Sequence, residues 1–207
     1  CIMSETMHYQ QHLYPGTREA LGEAVHKKLH DKRFNHCLRV EQTAIQLAEE
    51  NGVNLEKASI AGLIHDYAKE RSDEEFVGMI KKHQMDPDLL NWGNAVWHGV
   101  VGAEFIRDEL GIYDEDILNA VRHHTTGAVE MSPLEQVVYM ADYIEPKRDF
   151  DGVDDARDIT HKDLRAGVAY QTKQTMLYLA KKNAPIYPAT LLTFNRWVAQ
   201  KQMKYNY

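Results

Sequence analysis

Six side chains that usually seek water fall on the apolar faces of predicted helices in this chain: His36, the dipeptide His65-Asp66, His98, His124 and Asp142. Carboxylates and imidazoles turned toward a core are costly unless they are paired, hydrogen-bonded or bound to metal. Any one of them alone has a plain reading, a core histidine leaning on a carbonyl or an Asp142 paired with Arg148. Six together, spread over four or five helices, suggest a metal site where those helices converge.

The placement follows from counting. His36, Val40, Ala44 and Leu47 form an i, i+4, i+8, i+11 stripe, the signature of one helical face. Ile60, Ile64, Tyr67 and Ala68 give a similar period around His65-Asp66. His98 precedes Val101 and Phe105 at i+3 and i+7, Ile117 and Val121 lead to His124, and Leu134 and Val138 lead to Asp142. His123 stands about 100° around the helix from His124 and is expected to point elsewhere.

Predicted helices run over 17–30, 34–51, 55–69, 73–84, 87–95, 98–110, 114–125, 132–144, 161–182 and 188–204. Breaks fall at Gly52, Asp86-Pro87, Gly111, Gly127 with Ser132-Pro133, Pro146, Gly152 and Pro185. Ser132-Pro133 with Glu135 is a strong helix start. No alternating strand, repeat or low-complexity linker interrupts the pattern, so the expectation is an all-α bundle. Its 207 residues suit one domain with a single core, over about 18–200.

Composition narrows the function. A hydrophobic share of 43% and a charged share of 27% are ordinary for a globular chain. No apolar run approaches the roughly 20 residues of a membrane span, and no secretory pattern opens the sequence. Two cysteines, Cys1 and Cys37, make no disulfide framework, so the cytoplasm is the expected location and Cys37 is read as a packing residue. A net charge of −7 without a basic stripe argues against extended nucleic acid but leaves room for a small polyphosphate. The acidic stretch 149–158 reads as a solvated loop, since it lacks the register of a calcium loop.

The ordered set of a lone His, a His-Asp pair, further His residues and a distant Asp resembles the HD-domain metal-dependent phosphohydrolases. The stretches that carry the likeness are RFNHCLRV (33–40), AGLIHDYAKE (61–70), WHGVVGA (97–103), VRHHTTG (121–127) and ADYIEPKRDFDGV (141–153), and together they span roughly residues 18–200. They are most similar to the YqeK-type branch. That likeness implies an HD-type helical bundle and symmetrical cleavage of diadenosine tetraphosphate to two ADP. The chain departs from the pattern at Lys147, where the family has a Gly before the Arg, and at Asp151, where a Pro is common.

On this resemblance the expected metal ligands are His36, His65, Asp66 and Asp142, and the expected ion is iron. A ligand set of imidazole and carboxylate without thiolate also suits manganese or zinc. Such an ion lowers the pKa of a bound water toward neutrality. Asp66 is expected to orient that water or bridge a second ion. His98 and His124 are expected either to ligate the second ion or to donate to phosphate; one ion and two remain equally open here. Phosphoryl transfer needs charge neutralisation above all. Arg33 lies one turn before His36, Lys69 one turn beyond His65-Asp66, and Arg148 follows the Asp142 helix. All three are candidate phosphate contacts, with Thr125 and Thr126 as possible hydroxyl or amide donors. Tyr67, Tyr143 and Trp97 are candidates to stack on a base. A homodimer is a further possibility, with Trp197 in the last predicted helix and Tyr205 and Tyr207 just beyond it either packing at its surface or merely fraying. Two rival functions use the same features: hydrolysis of another nucleotide or an alarmone, and metal or nucleotide sensing without turnover.

Overall fold

The computed structural model describes residues 8–200, and within them the chain is helical, with no strand and one isolated bridge between His8 and Thr17. The helices are α1 (Arg18–His26), α2 (Asp31–Asn51), α3 (Leu55–Ile64), α4 (Asp73–Lys82), α5 (Asn94–Val100), α6 (Gly102–Leu110), α7 (Glu115–His123), α8 (Pro133–Ile144), α9 (Val153–Lys162), α10 (Leu164–Lys181) and α11 (Pro188–Trp197). The all-α expectation holds. No described helix is long and apolar enough to cross a membrane.

Helices α2, α3, α7 and α8 form the centre. Helix α8 starts as its sequence predicts: Ser132 Oγ accepts from the Glu135 amide at 3.1 Å, and Glu135 reaches back to the Ser132 amide at 2.9 Å. It is buried on almost every side, from Leu134 through Ala141 to Ile144, so Asp142 near its end is carried into the interior. Helix α3 is buried all round from Ala58 to Ile64 and lies close to α2. A Cβ on Gly62 would stand 2.7 Å from the Glu41 Cα, so only glycine permits this approach. Helices α5 and α7 meet in the same way, since a Cβ on Gly99 would stand 3.1 Å from the Val121 carbonyl. Both glycines neighbour candidate ligands.

A buried polar chain ties the first segment to this centre. The Tyr9 and Ser59 hydroxyls lie 2.7 Å apart, Ser59 donates to Glu41 at 2.6 Å, and Arg18 Nε donates to Glu41 at 2.7 Å. Glu41 is fully buried, which only such a set of partners makes tolerable.

Several predicted boundaries move. Helix α3 stops at Ile64 rather than 69, and residues 65–70 continue as tight turns, with the Tyr67 amide bonded to the Ile64 carbonyl and the Lys69 amide to the Asp66 carbonyl. Residues 87–91 form a single 3-10 turn instead of a helix to 95. The helix expected at 98–110 begins earlier, at Asn94, and breaks at Val101, while that expected at 161–182 breaks at Asp163. The acidic stretch 149–158 is not a solvated loop throughout: from Val153 it is helix α9, with Val153, Ala156 and Thr160 buried at helical spacing. Asp154 and Asp155 fall in its first turn, where negative charge favours a helix N-terminus. Trp197 is buried, donates Nε1 to the Ala128 and Val129 carbonyls at 3.1 Å and lies under Arg165, so it packs inside the fold rather than forming a dimer surface. Tyr205 and Tyr207 lie outside the described residues.

Candidate metal centre

All six predicted ligands meet. His36 comes from the second turn of α2, His65 caps the end of α3 and Asp66 follows it in the turn. His98 lies on α5, His124 caps α7 and Asp142 is in the last turn of α8. Two ligands thus sit at helix ends, which lets separate helices aim at one point without colliding.

Asp66 is the hub. Its Oδ2 lies 3.6 Å from His36 Nε2 and 3.4 Å from His65 Nε2, while its Oδ1 lies 3.6 Å from His98 Nε2 and 3.4 Å from His124 Nε2. Asp142 Oδ1 stands 3.0 Å from His36 Nε2 and 3.5 Å from His65 Nε2. Three overlapping sets, His36/His65/Asp66, His65/His124/Asp142 and Asp66/His98/His124, each gather donor atoms within 4.8 Å of one another.

Ring orientation tests whether these residues suit a metal. The Nδ1 atoms of His65, His98 and His124 lie 2.7, 2.6 and 2.7 Å from the carbonyls of Gly62, Asn94 and Val121. A carbonyl can only accept, so each Nδ1 carries its proton and each ring turns its Nε2, the atom that can give a lone pair to a cation, to the centre. The Nε2 atoms of His65 and His124 are buried and make no hydrogen bond. Donors held about 2.0–2.2 Å from a shared ion stand roughly 3 Å apart. The observed spacings fit that requirement.

Electrostatics agree. Burial opposes a charged His65, but Asp66 and then Asp142 outweigh it and push the pKa up to about 10. The centre asks for positive charge there, which a divalent cation supplies in place of a proton. Burial likewise works against the charge of Asp66 and Asp142, yet the imidazoles around them hold both well below the usual carboxylate range. For His98, burial first and His124 second bring the pKa down to about 3, so it stays neutral.

The centre opens beside His36 into a cleft of about 970 Å³. Arg33, Arg39, Lys147 and Arg148 supply positive charge along it, and Phe150 an aromatic wall. Arg33 donates to Asp66 Oδ2 at 3.0 Å, and Arg148 to Asp142 Oδ1 at 3.0 Å and to the Asp142 carbonyl at 2.9 Å. Burial lowers the Lys69 ammonium pKa; the nearby Asp66 opposes that shift and Arg33 adds to it. Thr125 buries its hydroxyl beside Gly99 in the α5–α7 contact, where it has no hydrogen-bond partner. Thr126 belongs to packing: its hydroxyl donates to the Gly127 carbonyl and its carbonyl accepts from Thr190 on α11. His123 turns away, as expected, and pairs with Glu135. Trp97 and Tyr67 are core residues, bonded to the Leu89 carbonyl and Glu109, so neither is free to stack on a base. Tyr143 packs against Phe150 with ring centroids 4.7 Å apart.

Three supporting residues escaped the sequence reading. Glu145 faces His36, Arg39 pairs with Glu145, and Arg157 holds the carbonyls of Ile144, Glu145 and Arg148 at 3.1, 3.0 and 2.8 Å. The first two carried a signal: Arg39 and Glu145 stand at i+3 from His36 and Asp142.

Residues 33–147 match the model of the HD domain family. The chain belongs to the HD-domain family. Among relatives of this HD domain, the Bacillus subtilis (strain 168) protein named "Bis(5'-nucleosyl)-tetraphosphatase, symmetrical" is 44% identical over 178 residues, covering 86% of this chain and 96% of that one. A protein of the same name from Staphylococcus aureus (strain NCTC 8325 / PS 47) is 37% identical, covering 82% of this chain and 88% of its own. The crystal structure of a predicted HD superfamily hydrolase involved in NAD metabolism, from Clostridium acetobutylicum, superposes with a TM-score of 0.84 at 33% identity, covering 89% of this chain and 98% of that one. An HD domain with this inward-facing cluster is a divalent-metal site.

Proposed function

We propose that this HD domain hydrolyses bis(5'-nucleosyl) tetraphosphates symmetrically, converting diadenosine tetraphosphate and water to two ADP. The observation that carries the reading is the convergence of four imidazoles and two carboxylates beside a basic cleft. Relatives at 37–44% identity carry the symmetrical tetraphosphatase name over nearly their full length, which supports this substrate over another nucleotide or a sensing role.

His36, His65, Asp66 and Asp142 would hold the principal ion, and His98 with His124 would hold a second ion; the alternative, donation to a phosphate oxygen, would require their Nε2 atoms to take up a proton. Bound there, a divalent ion supplies a water acidic enough to ionise near neutral pH and neutralises phosphate charge. Asp66 would orient the attacking water, a role supported by its two oxygens facing both halves of the cluster. Arg33 and Arg148 line the basic cleft, which supports a role for them on the phosphate chain, and Lys69 and the Thr125 backbone would be further contacts. Symmetric cleavage requires attack at an inner phosphorus, so that ADP leaves on one side and forms from the attacked half on the other. Iron is our choice of metal on family resemblance, with manganese and zinc as alternatives that the same donors accept. We also read the chain as a single functional domain, supported by the one hydrophobic cluster running from Tyr9 to Trp197. A cytoplasmic location is supported by the buried free thiol of Cys37.

The test loads purified protein anaerobically with Fe²⁺, or in parallel with Mn²⁺ or Zn²⁺, and resolves the products from diadenosine tetraphosphate by chromatography. ADP alone, lost on chelation, is the expected result. AMP plus ATP would overturn symmetric cleavage, and absence of turnover with metal bound would favour sensing or another ester.

A further inference from the structure

Of the four imidazoles in the cluster, three lean on neutral backbone carbonyls and one does not. His36 turns its Nδ1 to a carboxylate, Glu145 Oε1, at 3.5 Å. Glu145 is itself 2% exposed, so its charge is enclosed with its partners. The other oxygen is fully occupied: Arg39 Nε donates to Oε2 at 2.5 Å and the Lys147 amide donates to it at 3.1 Å. The Glu145 carbonyl accepts from the Arg148 amide at 2.9 Å and from Arg157 at 3.0 Å. One residue therefore touches a candidate ligand, a cleft arginine and the turn that presents Arg148.

Resting on the metal-hydrolase reading above, we propose that Glu145 is a positioning residue that fixes His36 by its Nδ1 and the 147–148 turn by the same carboxylate, so that metal ligand and phosphate-facing arginine are aligned together. A hydrogen-bond acceptor behind a ligating imidazole fixes its tautomer and strengthens it as a donor, and an ionised carboxylate is a stronger acceptor than a neutral carbonyl. Glu145 also closes geometry: with Oε2 committed to Arg39 and the Lys147 amide, rotation of the carboxyl away from His36 would break two other contacts. The pull on His36 is thereby coupled to the loop that carries Arg148 back onto Asp142.

The test measures Mn²⁺ affinity of the full chain by the free-Mn²⁺ spin-resonance signal against a competing chelator, together with kcat and KM, in Glu145→Gln, Asp142→Ala and the double variant Glu145→Gln/Arg39→Gln. Loss of an outer carboxylate of this kind weakens metal binding by about 10–100-fold. The expected result for Glu145→Gln is a loss in that range with kcat reduced alongside, in protein whose helical circular dichroism is unchanged. The double variant is expected to regain any lost thermal stability, because Arg39 no longer lacks its partner, yet to keep the weakened Mn²⁺ binding. Wild-type Mn²⁺ affinity in Glu145→Gln, while Asp142→Ala loses the ion, would overturn the role of Glu145 and leave the metal site standing. Recovery of affinity in the double variant would also overturn it, reducing Glu145 to a counter-charge for Arg39. Retained affinity in Asp142→Ala would instead sink the metal-site reading on which this role depends.

Discussion

The two sides of Asp66 are built from the same residue types and differ in charge. On the Oδ2 side stand His36, His65, a second carboxylate from Asp142, and behind them Glu145. On the Oδ1 side stand His98 and His124, both resting on carbonyls. A divalent cation taken from water needs anionic partners as well as imidazole to replace its hydration. On the proposed reading the Oδ2 side would be the stronger site, because two carboxylates meet there even with Arg33 and Arg148 offsetting part of their charge, and the Oδ1 side would draw on the shared Asp66 charge or on a phosphate.

The harshest way to break the comparison is to remove what both sides share. Asp66→Ala is expected to abolish diadenosine tetraphosphate hydrolysis while far-ultraviolet dichroism stays helical; measurable turnover in pure, metal-loaded variant would sink the mechanism. Next come single removals on each side. Asp142→Ala is expected to lose the tightly held ion in a titration with Mn²⁺, whereas His98→Ala should keep that ion and lower kcat instead. Equal effects on metal affinity would show that the sides are equivalent.

Packing sharpens the contrast further. Gly62 lets α3 approach α2 on the Oδ2 side, and Gly99 lets α5 approach α7 on the Oδ1 side. An added methyl meets backbone carbon at 2.7 Å in the first case but a carbonyl oxygen at 3.1 Å in the second. Overpacking costs about 1–3 kcal/mol. Gly62→Ala should fall at the upper end and melt several degrees below Gly99→Ala; the reverse order would mean that the tighter contact relaxes easily.

The smallest effect concerns protons. Burial keeps His98 neutral with a pKa of about 3, against 6.5 when unfolded. Between these values the unfolded chain binds the extra proton, so metal-free stability should fall as pH drops from 6.5 toward 4, by at most about 1.4 kcal/mol per pH unit. His65, raised rather than lowered, contributes only above pH 6.5, and the two carboxylates only below about 4. Denaturant melts across pH 4.5–6 with His98→Gln should be flatter than wild type. An unchanged slope would place the titration elsewhere.

Much of this was legible from spacing. His36, His98 and Asp142 lie inside helices, where a period of 3.6 residues fixes the direction of a side chain, and the Ser132-Pro133-Glu135 start is chemically explicit. His65 and His124 were found by the same count although each caps its helix, because the first residue past a helix still continues its face. The break at Val101 and the tight turns over 65–70 carry no such period, since both arise where separate helices meet. Helix α9 looked like a loop because its apolar face is only Val153, Ala156 and Thr160, and its place depends on Arg157 reaching three carbonyls of another segment. Glu41 and Glu145 went unread because the partners that enclose them come from distant sequence.

The contact between His36 and Asp142 joins points 106 residues apart. An unfolded chain holds these groups so far from one another that it contains no cation site at all. The ion is therefore a ligand of the native state alone, and such a ligand at a hundred times its dissociation constant adds about 2.7 kcal/mol to folding. Metal supply would then govern how much of this protein persists in a cell, and not merely how fast each copy turns over.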